Sequence, residues 1–231
     1  MIMRSSERTI SVVANNIANV STPGFRRQVS YADIAPSFSS AMGDLPSPAT
    51  RTDDHEGNLQ QTGSPLDLAV SGPGYFQLRS GETIVYSRQG QFHRLDDGRL
   101  ANAQNYVLQQ AGGGDLVIDG EGNGIEVLPD GMVLEGERPV GRISLVAPGG
   151  DARLQALTGS MFTLAGTAEE VEDPHIRQGM VEASNVTIGD EMVTMMAAMR
   201  QAEGGARLAM LYDELTGRAI QTLGQESGGS R

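Results

Sequence analysis

Chemistry near neutral pH usually calls on a histidine, a thiolate or a pair of carboxylates, and this chain offers few candidates. Its three histidines, His55, His93 and His175, lie far apart in sequence, in expected loops or at strand ends. None is spaced from another as metal ligands are, and none stands beside a plausible nucleophile. The chain has no cysteine, which removes thiol catalysis, disulfides and Cys-based metal sites together. No Gly-x-Ser-x-Gly elbow is present. Gly112-Gly113-Gly114 imitates a phosphate loop, but no Gly-Lys-Ser/Thr ending follows and the next element reads as a strand, so a plain loop is expected. Asp119-Gly120-Glu121-Gly122-Asn123-Gly124 imitates the start of a calcium loop, with Asp130 in the last ligand position. Both flanks read as strands and Asp is a shorter last ligand than Glu, so a β-turn is the better reading. The residues therefore point to no catalytic, cofactor-binding or metal site, and to a chain that is not an enzyme.

The elements that such residues would need are legible in the hydrophobic pattern. The 231 residues suffice for one good core or two small ones. With 39% hydrophobic and 4% aromatic residues and no Trp, the core is lean, so part of the apolar surface is expected to be buried in an assembly. The formal net charge of −12 and the absence of any basic cluster exclude a nucleic-acid face. All 17 basic residues are Arg, which fits a GC-rich genome. No apolar run approaches the roughly 18 residues of a membrane span, and the first twenty residues carry Arg4, Glu7 and Arg8 rather than a cleavable signal pattern. By these rules alone the protein is cytoplasmic, an inference that fails for a substrate of a signal-less export machine.

Residues 2–20 read as an amphipathic helix: Met3, Ser6, Ile10, Val13, Ile17 and Val20 follow heptad spacing, with Ser6 the one polar member. Ser21-Thr22-Pro23-Gly24 stops it, because the residue before proline is pushed out of helical geometry and Gly24 permits a turn. Residues 35–65, punctuated by Pro and Gly, read as an extended linker with short strands. Residues 66–179 read as an all-β domain, a small sandwich or barrel-like sheet, from short apolar runs separated by Gly-rich turns: Leu66/Leu68/Val70, Ile84–Tyr86, Tyr106–Leu108, Leu116–Ile118, Ile125–Leu128 and Ile143–Val146, with Asp97-Gly98 as a tight turn. Residues 180–224 carry a second helix, with a stripe of Ile188, Met192, Met195, Met199, Ala202, Ala206 and Ala209 and another of Leu208, Leu211, Leu215 and Ala219. Two stripes allow contact with neighbours on more than one side, and methionine suits surfaces that must repack. Residues 225–231 read as a disordered tail. The fold class is α+β: a discontinuous domain of N- and C-terminal coiled-coil-like helices (residues 1–34 and 180–224) with an inserted all-β domain.

Ala14-Asn15-Asn16-Ile17-Ala18-Asn19-Val20-Ser21-Thr22-Pro23-Gly24-Phe25-Arg26 resembles the N-terminal signature of the flagellar rod and hook axial protein family. Three further blocks agree: Gly63–Val70 with Gly72, Gly74, Tyr75 and Phe76; Tyr86–Phe92 with Asp97–Leu100; and Val181–Val186 with Glu191–Val193 and Arg200. The resemblance implies a non-enzymatic structural subunit of the flagellar basal-body rod, nearest to the proximal rod members and next to the distal ones. It implies export without a cleaved signal by the flagellar type III apparatus, and helical polymerisation in the periplasm with copies of itself and other rod and hook proteins. The terminal helices would form the inner tube of a torque-transmitting shaft. It implies no cofactor, nucleic acid, small-molecule substrate or membrane insertion. A secreted adhesin and a cell-wall hydrolase are the weaker rivals, since neither has a recognisable site.

The expected assembly interface comprises Ile10, Val13, Asn15, Asn16, Ile17, Asn19, Val20, Pro23, Gly24, Phe25, Ser184, Asn185, Ile188, Met192, Met195, Met199, Leu208, Leu211 and Leu215. Phe25 is expected to plug into a neighbouring helix or the linker. Asn185 or Thr187 is the expected cap of the second helix. The sequence departs from the family pattern in two places. The first helix begins roughly two to three turns late, so either the start codon is mis-assigned or this subunit contributes less to the inner tube. Ala202 stands where an aromatic is common, and Gly204-Gly205 follows, at a cost on the order of 1 kcal/mol per Gly, which predicts a bend or a close helix approach.

Overall fold

The computed structural model describes residues 2–33, 47–118, 124–150 and 152–227. The order is helix, a large β-rich middle, helix: α1 spans Ile2–Ala18 and α2 spans Ile188–Ser227. All the strands lie between the two helices. Two compact units result, one of residues 1–17, 28–51 and 188–231, the other of residues 18–27 and 52–187.

In the first unit, α1 is set by its apolar periodicity and ended by its stop sequence. Ser6, Val12, Val13 and Asn16 are buried and Ile10 and Ile17 half-buried, the face expected from the heptad seam with Val12 and Asn16 added. Beyond the helix the Thr22 N–H donates to Asn19 O (3.0 Å) and the Phe25 N–H to Thr22 O (3.2 Å), with Gly24 at φ +68°. Strands Gln28–Asp33 and Ser47–Thr52 form a two-stranded sheet. The expected linker thus contains strand Ser47–Thr52, while its residues 35–46 lie outside the described residues.

α2 is a continuous 40-residue helix, about 60 Å long at 1.5 Å per residue. It runs through Gly204 and Gly205 without interruption, and it includes residues 225–227, which the sequence assigned to the tail; residues 228–231 lie outside the described residues. Its least exposed positions are Glu191, Thr194, Met195, Ala198, Ala202, Gly205 and Ala206. Met195, Ala202 and Ala206 of the expected stripe lie on that face, whereas Ile188, Met192, Met199 and Ala209 are exposed. The rest of the covered face is mostly small residues, which a search for large apolar periodicity passes over.

In the second unit a nine-stranded antiparallel sheet carries the core. Its continuous path runs Arg153–Thr158, Met161–Ala165, Thr83–Ser87, Tyr75–Ser80, Val107–Leu108, Leu100–Ala101, His93–Arg94. Leu145–Pro148 pairs with both Tyr75–Ser80 and Ala168–Glu170 off this path. A three-stranded meander (Ile125–Val127, Met132–Glu135, Arg138–Arg142) and two two-stranded pairs complete it. Phe76, Leu78, Leu100, Leu108, Leu116, Ile118, Val133 and Ile143 form one core cluster with their neighbours, and full burial of each large side chain contributes roughly 1.5–3 kcal/mol. Phe76 and Phe92 meet edge to face at 5.5 Å.

Two expected strands differ. Leu68–Val70 does not alternate: all three residues are buried, because the strand is covered on both faces. Leu116–Ile118 forms no continuous strand; isolated bridges flank it at Asp115 and Val117, while Leu116 and Ile118 are fully enclosed. Of the calcium-like loop, residues 119–123 lie outside the described residues. Asp130 serves a turn: it accepts from the Met132 N–H (3.1 Å) and from Arg142 Nη2 (3.1 Å).

Candidate functional site

The densest polar arrangement in the β-rich unit lies where four distant segments converge: residues 24–27, 53–57, 88–90 and 181–185. Two features of the chain force the convergence. Strand Leu59–Gln61 pairs with Met180–Glu182, and Leu68–Val70 pairs with Ile176–Gln178. Three glycines then let backbones touch. A Cβ on Gly24 would lie 2.3 Å from Arg88 C and Gln89 N, one on Gly57 1.8 Å from Ala183 O, and one on Gly90 1.6 Å from Leu68 O. No side chain fits at these distances.

Glu182 is the centre, 1% exposed. Its carboxylate lies 2.8 Å from Arg26 Nη2 as an ion pair, and accepts from Arg88 Nη1 at 3.2 Å and from the Gly57 N–H at 2.8 Å. Its backbone oxygen accepts from the Gly24 N–H at 2.8 Å. Two enclosed guanidiniums thus share one carboxylate. The rest of their charge is met by neutral acceptors: Arg26 Nη1 donates to His55 O, and Arg88 donates to Val70 O and Gly72 O. Arg88 also lies 5.1 Å over the Tyr75 ring, a cation–π contact. Burial holds the Arg88 guanidinium below its ordinary pKa and pushes the Tyr75 phenol up. Nε of each arginine and Nη2 of Arg26 have no well-aligned hydrogen-bond partner among the described residues, a cost that marks the cluster as specific in geometry rather than cheap.

Asn185 works beside it. Its Oδ1 accepts from the Arg27 N–H at 2.6 Å, and its Nδ2 donates to Asp53 O (3.1 Å) and His55 O (2.8 Å). The Asp53 N–H in turn donates to Arg27 O at 2.8 Å. The amide is therefore committed to two other segments, which overturns its reading as the cap of α2; Thr187 is the residue that directly precedes the helix. Ser184 Oγ accepts from the Val186 N–H at 3.3 Å.

The other unit has its own polar contact. Asn16 is fully buried and pairs with Gln28 through both backbone groups, donating to its oxygen (2.8 Å) and accepting from its N–H (2.9 Å). Its Nδ2 also donates to Glu191 Oε2 at 3.0 Å. Asn16 thus joins α1, the strand after it and the first turn of α2.

These placements sort the expected interface. Asn16, Gly24 and Phe25 are enclosed by their own chain, Phe25 at 1% exposure. Val13 is buried, and Ile10, Ile17, Asn19, Val20, Pro23, Ser184, Asn185 and Met195 are half-buried. Asn15, Ile188, Met192, Met199, Leu208, Leu211 and Leu215 are exposed. The sequence reading passed over Arg26, Arg88, Glu182 and Glu191 as site residues. The available signal was weak: Glu182 directly follows Val181 in a strand too short to show alternation, and each arginine sits in a Gly-flanked turn.

Comparison with known proteins bears directly on this junction. The family described as "Flagella basal body rod protein" matches residues 7–26, "Flagellar hook protein FlgE/F/G D1 domain" matches 69–135, and "Flagellar basal body rod FlgEFG protein C-terminal" matches 177–222. The chain is 31% identical over 228 residues to the flagellar basal-body rod protein FlgF of Caulobacter vibrioides, covering 94% of this chain and 93% of that one. This chain belongs to the flagellar basal-body rod protein family. The rod protein is also 29% identical over 226 residues to FlgF of Mesorhizobium japonicum (96% and 94% covered) and 27% identical over 244 residues to FlgG of Bacillus subtilis (92% of each). Arg26 and Glu182 thus fall inside the two terminal family matches and Arg88 inside the central one, so the buried cluster ties together all three matched blocks of the rod protein.

Proposed function

We propose that this chain is a structural, non-enzymatic subunit of the flagellar basal-body rod that polymerises through α1 and α2. The observation that carries the assembly reading is the surface of α2. Ile188, Met192, Val193, Met196, Met199, Leu208, Met210, Leu211, Tyr212 and Leu215 are all exposed, with Leu208, Met210 and Leu215 each above 60%. Scattered apolar residues on a surface are ordinary, but rows at helical spacing such as Ile188/Met192/Met196/Met199 and Leu208/Leu211/Leu215 mark an interface. Coiled-coil-like packing of these helices against those of sister subunits and of other rod and hook proteins would remove the row from water. A helical inner wall built this way transmits torque.

The subunit then works in the periplasm, after export by the flagellar type III apparatus without a cleaved signal. A proximal position is the favoured placement and the distal rod the alternative, with identities of 26–31% to FlgF relatives and an overlapping 24–28% to FlgG relatives. The test is the substitution Leu208→Ser/Leu211→Ser/Leu215→Ser. Exposed positions leave monomer stability within about 0.5 kcal/mol each, while swimming in a strain lacking the wild-type gene is expected to disappear. A triple variant that swims normally would overturn the reading.

A further inference from the structure

We infer that Asn185 is a positioning residue for assembly: its one amide fixes the spacing at which the chain leaves the β-rich unit, and so governs rod incorporation rather than folding of that unit. The inference rests on the polymerisation reading above. The chain passes between its two units at four points, after Ile17, Arg27, Arg51 and Thr187. Three of them lie within two residues of a group that Asn185 holds or of Asn185 itself. Arg27, whose N–H donates to Oδ1, is the last residue before one crossing. Asp53, whose oxygen accepts from Nδ2, is one residue past the next. Asn185 itself stands two residues before the third.

The amide is fully committed on its donor side. Both Nδ2 hydrogens have carbonyl acceptors, at 3.1 and 2.8 Å, and Oδ1 holds the shortest bond of the set at 2.6 Å. No shorter or acidic side chain reproduces this pattern: Asp retains the acceptor and loses both donors, and Ala loses all three bonds. The core of the unit is elsewhere, around Phe76 and Leu108, and does not depend on this amide. With so few residues between the clamp and each crossing, an error in spacing passes straight to the first residues of the other unit, because so short a segment has no slack to absorb it.

The experiment uses the full chain, which lacks cysteine and so accepts labels cleanly. Spin labels are placed on Ser21→Cys and Thr187→Cys, two exposed positions of the β-rich unit, and the distance distribution is measured in wild type, Asn185→Ala and Asn185→Asp. The same variants are tested for incorporation into isolated basal bodies at a temperature where circular dichroism shows them folded. The expected result is a distribution at least twofold broader and incorporation at least tenfold lower in both variants. The Leu208→Ser/Leu211→Ser/Leu215→Ser protein provides the contrast: it should fail to assemble while keeping the narrow distribution. A narrow distribution or full incorporation in the Asn185 variants overturns the inference. So does loss of the β-rich unit's fold in both, which would make Asn185 a folding residue. If the leucine variant assembles normally, it is the polymerisation reading that falls.

Discussion

Replacing Glu182 by Ala would strip two enclosed guanidiniums of their shared counter-ion. Arg26 and Glu182 are each 1% exposed and Arg88 3%, so water cannot take the place of the carboxylate. Breaking a buried pair by removing one partner costs about 3–5 kcal/mol. The Gly57 N–H, 2.8 Å from Oε1, also loses its acceptor, a loss of about 1–3 kcal/mol when the donor stays dry. Because the two effects share one site they do not add fully, and about 4–6 kcal/mol is the expected loss. For a unit on the order of 150 residues, that lowers the midpoint of thermal unfolding by roughly 10–20 °C. Calorimetry of the full chain reads this directly. The triple variant Arg26→Met/Arg88→Met/Glu182→Leu removes the charges as a set and should be far less damaged than the single one, since the desolvation cost disappears with the attraction. A single variant within about 1 kcal/mol of wild type, or a triple variant worse than the single, would refute the account of the cluster as a coupled buried ion set.

Two other outcomes follow from the β-rich unit. Asp115 accepts from Arg79 Nη2 at 2.6 Å and also from Gln109 and Arg99, and chiefly the Arg79 hydrogen bond holds its carboxyl down to about 2. With the folded pKa below the unfolded one, its stabilisation is complete above about pH 4 and vanishes as pH falls towards 2; Asp115→Asn should cost roughly 1–2 kcal/mol at pH 7, after allowance for screening, and flatten denaturant midpoints measured between those pH values. Gly24→Ala should destabilise by roughly 2–4 kcal/mol in a urea titration, because φ is +68° and the added Cβ meets backbone atoms 2.3 Å away.

The parts of this fold that sequence reveals are those governed by local period. α1 was legible because Ile10, Val13 and Ile17 repeat on one face, and its end because Pro23-Gly24 admits no other outcome. Most of the extent of α2 was legible, but its covered face only in part: Met195, Ala202 and Ala206 were in the expected stripe, while Glu191, Thr194, Ala198 and Gly205 carry little hydrophobic signal. Asn16 was legible as a structural or interface residue near the helix end, where an amide can bond backbone groups; the nearness of Gln28 and Glu191 shows that its amide is spent inside the subunit. The buried cluster was the least legible. Arg26, Arg88 and Glu182 stand far apart in the chain, and a charged residue announces burial only through partners that folding brings to it. Asn185 failed for a related reason, since Asn before a helix reads as a cap until the acceptors at Asp53 and His55 are known.

The pairing of Leu59–Gln61 with Met180–Glu182, and of Leu68–Val70 with Ile176–Gln178, joins strands more than a hundred residues apart. A ribosome making this protein releases the early strands of both pairs long before their mates exist. The β-rich unit therefore cannot close until about four-fifths of the polypeptide has emerged, and such late, long-range closure is slow. For most proteins that delay invites aggregation. Under the export proposed above, the same delay leaves the early strands unpaired and pliable while the rest of the polypeptide is made.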